Sequence, residues 1–280
     1  MLAPLERREL LFRRVILIYQ MPKIGSQTIE ATLRQCSVPH PIYRFHYLSR
    51  TMARNVRSTL AASEPSQAWK RRAREQLNLT CEFSRLIRFR KWLRFCGFPI
   101  PKLDVISGVR DLVGLVLASL FENYLRIGPT VECLTADKCS EALLGRGMFT
   151  TLKDWFDLEL KPFTGIDVYK TQFPHDRGYA IYENRFARVL VYRFEALHNL
   201  AEFLGEFMRC KINSLANRNL GASKPYAEQY RSVKESLRLP AGFVTDLYGC
   251  KMMRHFYSDQ ERLGWEKKWA EPSQALAQST

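Results

Sequence analysis

The sequence predicts an α/β protein of three layers, in which a doubly wound parallel sheet lies between helices and is followed by a helical C-terminal part. Two β-branched runs, Val15–Tyr19 and Leu103–Val109, are each followed by a short turn and a helical pattern. Strand and helix signals alternate up to about residue 200, and helical periodicity dominates beyond it. Alternation of this kind is typical of a parallel sheet with helical crossovers.

The elements follow one another in a simple order. Strand Val15–Tyr19 leads through a turn to a helix over 26–36, and further strands are expected at 42–48 and Leu103–Val109. A loop is expected at 60–67, and helices are expected at 68–95, 113–125, 137–144 and 149–160. A hairpin within 165–192 should end in strand Ala187–Arg193, and the rest should be helical apart from an interruption at 217–225.

The 280 residues, 46% of them hydrophobic, predict one domain over 1–280, with a sheet core at about 15–200 and a helical region at about 201–270. The longest apolar runs are shorter than the roughly 20 residues of a membrane helix, so no transmembrane segment is expected. The first residues lack the apolar core of a secretory signal, which predicts a cytoplasmic location. Oligomeric state is left open.

The chain is strongly basic. Its 43 Lys and Arg against 28 Asp and Glu give a net charge of +15, which favours an anionic cofactor or a polyanionic partner. The basic helix at 68–95 is either a polyanion-binding face or a solvated amphipathic helix packed on the sheet. No zinc-finger spacing or aromatic RNA-binding box occurs, so no specific nucleic acid is expected. The seven cysteines lack metal-ligand spacing, which predicts reduced thiols and no metal.

Two places could hold an anion. The turn at 22–28 combines Lys23, Gly25 and the start of a helix, where main-chain amides point at a ligand; an ordinary turn is the alternative. Its lysine precedes the glycine, unlike the lysine of the ATP-binding loop, so an ordinary NTPase is not predicted. The second place is Arg110, at a strand end, with Ser119 nine residues later on a helix. Its alternative is an exposed strand-end charge, with Asp111 as the helix cap.

Two segments of the sequence, at 19–29 and 109–124, resemble segments of known enzymes. YQMPKIGSQTI at 19–29 is similar to the 5′-phosphosulfate loop of sulfotransferases, and VRDLVGLVLASLFENY at 109–124 resembles their 3′-phosphate segment. Further similar boxes lie at 155–157, 165–169, 192–197, 219–226 and 254–258. The ordered set, over about 15–269, resembles a sulfotransferase-like family of capsular polysaccharide synthesis proteins. That family is named for a final Asn-Lys-Trp-Tyr-Ser box, here varied to Arg-His-Phe-Tyr-Ser.

The resemblance implies a sulfotransferase, or P-loop-like, fold. It implies 3′-phosphoadenosine 5′-phosphosulfate (PAPS) as donor, 3′-phosphoadenosine 5′-phosphate (PAP) as product, a hydroxyl of a glycan as acceptor, and no metal. The 5′-phosphosulfate would be held by Lys23, Ile24, Gly25, Ser26, Gln27 and Thr28, and the 3′-phosphate by Arg110 and a helix hydroxyl. Lys224, beside Ser223, would contact a phosphate from a loop that closes over the nucleotide.

The chain departs from the family at two places near this site. Ala118 stands where the family has serine, so Ser119 lies one position later and about 100° round the helix. Leu112 replaces the proline that usually follows the Arg-Asp pair. Ser119 therefore differs in position from the serine that holds the 3′-phosphate in the family.

The segment RFHYLS at 44–49 resembles the family's HxHxLS segment, with Arg44 in place of the first histidine. It implies that His46 deprotonates the acceptor while Lys23 neutralises charge on the leaving phosphate. A structural role for His46 is the alternative, and Glu122 is a further candidate for the base. Two other functions stay open: a nucleotide-dependent phosphotransferase, and a non-catalytic basic module that binds polyanions.

Overall fold

The computed structural model describes residues 2–49, 67–127, 134–145, 148–212, 216 and 225–272. Its centre is a sheet of five strands in the order β2-β1-β3-β5-β4. The strands are β1 Val15–Tyr19, β2 Ile42–Phe45, β3 Leu103–Val109, β4 Tyr179–Glu183 and β5 Ala187–Arg193. The fold is thus a mixed α/β arrangement.

Four strands run parallel, and β4 pairs with β5 in the antiparallel direction. The predicted hairpin therefore forms the edge of a mostly parallel sheet. From β1 the chain passes to β2 on one side and later returns to β3 on the other, so the winding direction changes between β1 and β3. In sheets of this type, ligands bind at the carboxyl ends of the strands beside such a switch point.

The central strands are enclosed on both faces. All five residues of β1 and all seven of β3 are buried. Because successive side chains of a strand point to opposite faces, burial of every residue requires cover on each side. This explains why β1 is a continuous apolar run, and why the two polar side chains of β3, Asp104 and Ser107, are buried with its apolar ones.

Twelve α-helices are present in the described part of the chain. They are α1 Pro4–Phe12, α2 Ser26–Gln35, α3 Gln67–Phe95, α4 Leu112–Ile127, α5 Ala136–Gly145, α6 Met148–Lys153, α7 Lys161–Thr164, α8 Leu200–Met208, α9 Ala227–Ser236, α10 Ala241–Tyr248, α11 Lys251–Phe256 and α12 Asp259–Trp269. Helix α1 was not predicted from the sequence. It is held against α3, where Arg90 donates a hydrogen bond to the carbonyl of Leu10 at 2.5 Å.

Two predicted elements are shorter than expected. The strand expected at 42–48 ends at Phe45, because the amides of Leu48 and Ser49 leave the sheet and donate to the carboxylate of Glu159. The helix expected at 149–160 is broken after α6, and a π-helix, Phe156–Leu160, follows. The two differences meet at Glu159, since the π-helix carries the carboxylate that binds the amides after β2.

The C-terminal part is helical in its described residues, as predicted, and of the interruption predicted at 217–225, residues 217–224 lie outside them. The six cysteines in the described ranges have free thiols. Within the same ranges, no helix has both the length and the apolar character needed to cross a bilayer.

Candidate functional site

The loop after β1 has the backbone of an anion-binding turn. Lys23 and Gly25 both adopt the left-handed conformation, with φ of 63° and 85°. Helix α2 then begins at Ser26, and Gly25 caps it without any side-chain hydrogen bond. The first amides of a helix have no carbonyl partner within it, so those of Ser26 and Gln27 can be offered to an anion. A side chain at Gly25 would also crowd Leu197, whose Cδ1 lies 3.1 Å from the Cβ position.

Neighbouring strands hold this loop in place. The guanidinium of Arg110 donates from Nη1 to the carbonyl of Lys23 at 2.9 Å, and the Tyr192 hydroxyl donates to the carbonyl of Ile24. Gly108 permits the close approach, because a Cβ there would lie 2.8 Å from Ile24 Cγ2 and 2.9 Å from Tyr192 Cζ. The loop conformation thus depends on β3 and β5, although its residues follow β1.

Arg110 is the centre of the second predicted place. It follows β3, which neighbours β1, so the carboxyl ends of the two strands bring Arg110 to Lys23. Its guanidinium stacks on the Phe194 ring, with 4.1 Å between the guanidinium carbon and the ring centroid. The Tyr230 hydroxyl lies near it, and the Arg110 charge opposes the rise that burial causes in the pKa of Tyr230. A guanidinium fixed from several sides is suited to bind a phosphate, because little side-chain entropy is lost on binding.

Lys23 forms an ion pair with Glu122, which lies on α4. Both side chains are largely buried, so the interaction is screened less than a surface pair would be. The pair links the loop after β1 to the helix after β3. Glu122, the further candidate for the base, thus lies beside the cation that the sequence selected.

The helix hydroxyl expected beside Arg110 has another partner. Ser119 donates from Oγ to the carbonyl of Leu115 at 3.0 Å, within its own helix. The phosphate contact of Ser119 stays a prediction. A hydroxyl displaced round the helix from the family's serine is free to bond to its own helix, as it does here. The other predicted phosphate contact, Lys224, lies outside the described residues, as does Ser223.

His46 lies just past the end of β2. Its Nδ1 is 2.8 Å from the carbonyl of Gln20, which follows β1. Burial lowers the pKa of His46, as do the charges of Arg44 and Lys23, against an opposing effect of the Gln20 hydrogen bond. A neutral imidazole that donates from Nδ1 to a carbonyl has Nε2 as its proton acceptor. The geometry therefore suits a general base, which is the role that the resemblance implied.

Glu159 is a residue that the sequence did not reveal. It is 1% exposed, and its carboxylate accepts hydrogen bonds from the amides of Leu48 and Ser49, at 2.8 and 2.9 Å. The hydroxyls of Tyr19 and Ser49 also donate to it. This carboxylate therefore fixes the segment that follows His46. The available signal was a glutamate between two leucines in an apolar helical stretch.

Helix α9 supplies two more residues that the sequence analysis missed. The Tyr230 ring packs edge-on against Phe121 at 5.2 Å between centroids, and its hydroxyl lies near the charge of Arg110. Lys234 follows one turn later on the same face. Burial lowers the pKa of Lys234, and the charges of Lys268 and Arg110 lower it further. Positive groups thus converge beside Arg110, and the spacing of Tyr226, Tyr230 and Lys234 was the signal for this face.

A carboxylate network supports the start of α4. Asp111 accepts from the amide of Gly114 at 3.0 Å, and the Tyr248 hydroxyl also donates to it. The Asp111 amide donates to Glu195 at 3.1 Å, and Tyr257 donates to Glu195 at 2.8 Å. Burial raises the pKa of both carboxyl groups. Asp111 is therefore the helix cap foreseen from the sequence, and it connects Arg110 to the C-terminal helices.

The fold and the site together define an α/β protein with clustered cationic side chains at the switch point of a mostly parallel sheet. Residues 139–258, less than half of the chain, match the model of the NKWYS family, described as "putative capsular polysaccharide synthesis protein". The matched segment contains Glu159, Tyr192 and Tyr230, whereas Lys23 and Arg110 precede it. No curated protein and no solved structure matches the chain.

Proposed function

We propose that the protein is a sulfotransferase that moves a sulfuryl group from PAPS to a hydroxyl of a glycan, in the cytoplasm. The observation that carries the proposal is the hydrogen bond from Arg110 to the carbonyl of Lys23. It joins a left-handed loop at a helix start to a fixed guanidinium, and so offers two neighbouring anion sites. A nucleotide with phosphates at both its 5′ and 3′ positions would use both.

The two ends of the donor would contact different elements. The amides at the start of α2 and the ammonium of Lys23 would hold the 5′-phosphosulfate, with Ile24, Gly25, Ser26, Gln27 and Thr28 forming the loop around it. Arg110 would hold the 3′-phosphate, and Tyr230 and Lys234 extend the positive surface there. Because Lys234 has no carboxylate partner within the described ranges, an anion would relieve its repulsion from Arg110.

The proposed reaction is an in-line displacement at sulfur. A lone pair of the acceptor oxygen forms the new O–S bond, and the bond from sulfur to the bridging oxygen of the 5′-phosphate breaks. His46 Nε2 takes the proton of the acceptor hydroxyl, while Lys23 stabilises the negative charge that develops on the bridging oxygen. The products are the sulfated acceptor and PAP. Positioning and charge stabilisation account for most of the rate in transfers through loose transition states.

A glycan acceptor is supported by the family whose model matches residues 139–258, because its description concerns polysaccharide synthesis. That segment includes Glu159, which holds the residues after His46, and Tyr230, which lies beside Arg110. The segment therefore supplies residues around the groups that would bind the donor and activate the acceptor.

Calorimetric titration with PAP, with adenosine 5′-phosphate and with ATP plus Mg²⁺ tests the proposal. We expect PAP to bind at least about tenfold more tightly than adenosine 5′-phosphate, since a charge-assisted hydrogen bond contributes about 1.5 to 3 kcal/mol. Tighter binding of ATP with Mg²⁺ than of PAP would assign a phosphotransferase instead. Absence of PAP binding would overturn the donor assignment. Lys170→Gln, an exposed change elsewhere, is the matched control.

A further inference from the structure

The end of α3 carries an unusual group of exposed aromatic side chains. Phe89, Trp92, Phe95 and Phe98 are 46%, 55%, 67% and 52% exposed. They lie at helical spacing or in the turn that ends the helix, so they share one end of α3. Together with the exposed Arg85 and Arg88 they form what we call the aromatic–basic patch. The opposite face of the helix packs into the protein through Phe83 and Ile87, which are buried.

The charge of this surface is of one sign. Residues 83–103 contain six Lys and Arg and no Asp or Glu. Arg90, Lys91 and Arg94 donate to main-chain carbonyls. Within the described ranges, neither these three nor Arg85 and Arg88 form an ion pair with a carboxylate. The positive field of the patch is therefore not neutralised locally.

The patch is also rigid. Gly97 adopts φ of 93°, and the amides of Gly97 and Phe98 donate to the carbonyls of Arg94 and Leu93 at 3.2 and 3.1 Å. These two bonds form a Schellman motif, which ends the helix and folds Phe98 back beside it. The Phe89 and Trp92 rings stack with 5.6 Å between centroids. The rings are thus held at the surface by the helix end.

We propose that the aromatic–basic patch binds the surface of an anionic lipid bilayer. Apolar rings flanked by arginines are the composition of a helix that lies in a membrane interface, with its rings at the level of the acyl boundary and its cations among the headgroups. Tryptophan is favoured at that depth, because its ring is apolar and its N–H is polar. The absence of acidic residues from 83–103 is complementary to anionic headgroups.

Charge and ring geometry favour a bilayer over two other partners, a second copy of the chain and a nucleic acid. A second copy of the chain would bring the same unneutralised cations together, so self-association through this patch is opposed by repulsion. A nucleic acid strand would stack its bases on open ring faces, but Phe89 and Trp92 already cover one face of each other. Phe95 is in turn approached by the Arg185 guanidinium, at 5.8 Å from the ring centroid.

The patch and the candidate active site lie at opposite ends of the parallel strands. Helix α3 ends shortly before β3 begins, whereas Arg110 follows the last residue of β3. The hydrogen bond from Arg94 to the carbonyl of Arg185, in the turn between β4 and β5, places the end of α3 at the ends where β3 and β5 begin. A protein bound through the patch therefore keeps the carboxyl ends of β1 and β3, with Lys23 and Arg110, away from the bilayer.

Vesicle co-sedimentation of the full chain tests the proposal, with phosphatidylcholine vesicles compared with vesicles that also contain phosphatidylglycerol. We expect binding to the anionic vesicles to be at least about tenfold tighter, and to weaken in high salt. Trp92→Gln/Phe95→Gln and Arg85→Gln/Arg88→Gln should each lower the affinity about tenfold. Two matched controls change exposed residues elsewhere: Leu263→Gln for the loss of apolar side chains, and Lys138→Gln/Lys170→Gln for the loss of charge. Both should bind as the wild type does.

Fluorescence gives a second readout that does not depend on the variants' yield. Trp92 emission should shift to the blue on addition of anionic vesicles, and Trp92→Phe should abolish the shift. Wild-type protein that does not bind anionic vesicles, or patch variants that bind as tightly as the controls, would overturn the proposal. So would a single-stranded oligonucleotide or a second copy that binds through the same residues while vesicles do not.

Discussion

The guanidinium of Arg110 donates a hydrogen bond to the main-chain carbonyl of Lys23 across 2.9 Å, although 87 positions separate the two residues. The bond makes the loop after β1 and the end of β3 a single unit. The relative position of the two anion sites is therefore fixed before a ligand binds. This coupling shapes the predictions for both residues.

Lys23→Ala should lower turnover about a hundredfold or more, and should lower PAP affinity by much less. The reason is that the ammonium matters most when the bridging oxygen takes up negative charge, and loss of one such group has an effect of this size. Steady-state sulfate transfer and calorimetry measure the two quantities separately. Equal turnover in the variant and the wild type would remove Lys23 from the chemistry.

Arg110→Ala should weaken PAP binding by roughly tenfold to a hundredfold, as expected for loss of a charge-assisted hydrogen bond. Because Arg110 also holds the Lys23 carbonyl, ligands without a 3′-phosphate, such as adenosine 5′-phosphosulfate, should weaken too, although less. Lys234→Gln leaves the loop intact and should weaken only ligands with a 3′-phosphate, by about tenfold. Ser119→Ala is the contrast, and should have little effect because its hydroxyl bonds to Leu115. Equal losses for both ligands in Lys234→Gln would refute the 3′ assignment.

His46→Asn should keep the fold and PAP affinity but lower turnover about a hundredfold. The imidazole acts as a base only when neutral, that is, above its pKa, which burial lowers from 6.5 in the folded protein. The acidic limb of the wild-type rate should therefore lie below pH 6.5, and it should disappear in the variant. A pH profile of turnover checks both points.

Glu122→Gln separates the two candidates for the base. It breaks the ion pair but keeps the charge of Lys23, so turnover should fall by less than about tenfold. A loss as large as that of His46→Asn, with the acidic limb abolished, would make Glu122 the base instead.

Gly108→Ala should destabilise the protein by about 2 kcal/mol, because its Cβ would press on Ile24 and Tyr192 at 2.8 and 2.9 Å. Since those two groups hold the loop after β1, PAP affinity should fall as well. Gly264→Ala is the matched control: it has no atom within 4 Å of its Cβ position and should stabilise α12 by about 0.5 to 1 kcal/mol. Urea unfolding measures both, and a Gly108→Ala protein as stable as the wild type would contradict the packing.

Glu159→Gln should lower the free energy of unfolding by about 3 kcal/mol. In glutamine an NH2 group replaces one carboxylate oxygen. The amides of Leu48 and Ser49 and the hydroxyl of Tyr19, all donors, would then face another donor. The segment after His46 should loosen, so turnover should fall with stability. Glu141→Gln, an exposed change on α5, is the control for urea unfolding. Unchanged stability of Glu159→Gln would show that the carboxylate is not required.

Much of the fold follows from local pattern. The strands Val15–Tyr19, Leu103–Val109 and Ala187–Arg193 were predicted with the bounds that the structure shows. Continuous apolar runs can be recognised because central parallel strands are buried on both faces. The predicted end of β2 and the predicted continuous helix at 149–160 were wrong. The end of β2 depends on a contact made across more than 100 positions, between Glu159 and the amides of Leu48 and Ser49, which no local pattern contains.

The sequence by itself determined the chemistry available at each place: a glycine and a lysine before a helix, an arginine after a strand, and a histidine after another. These depend on the turn or strand end that a few neighbouring residues form, so a local pattern is sufficient to find them. Only the tertiary structure decided which of these groups meet. The strand order sets β1 beside β3 and so brings Lys23 to Arg110, and the packing of α9 adds Tyr230. Contacts of this kind arise from burial of the sheet and helices against one another, which no short window of sequence contains.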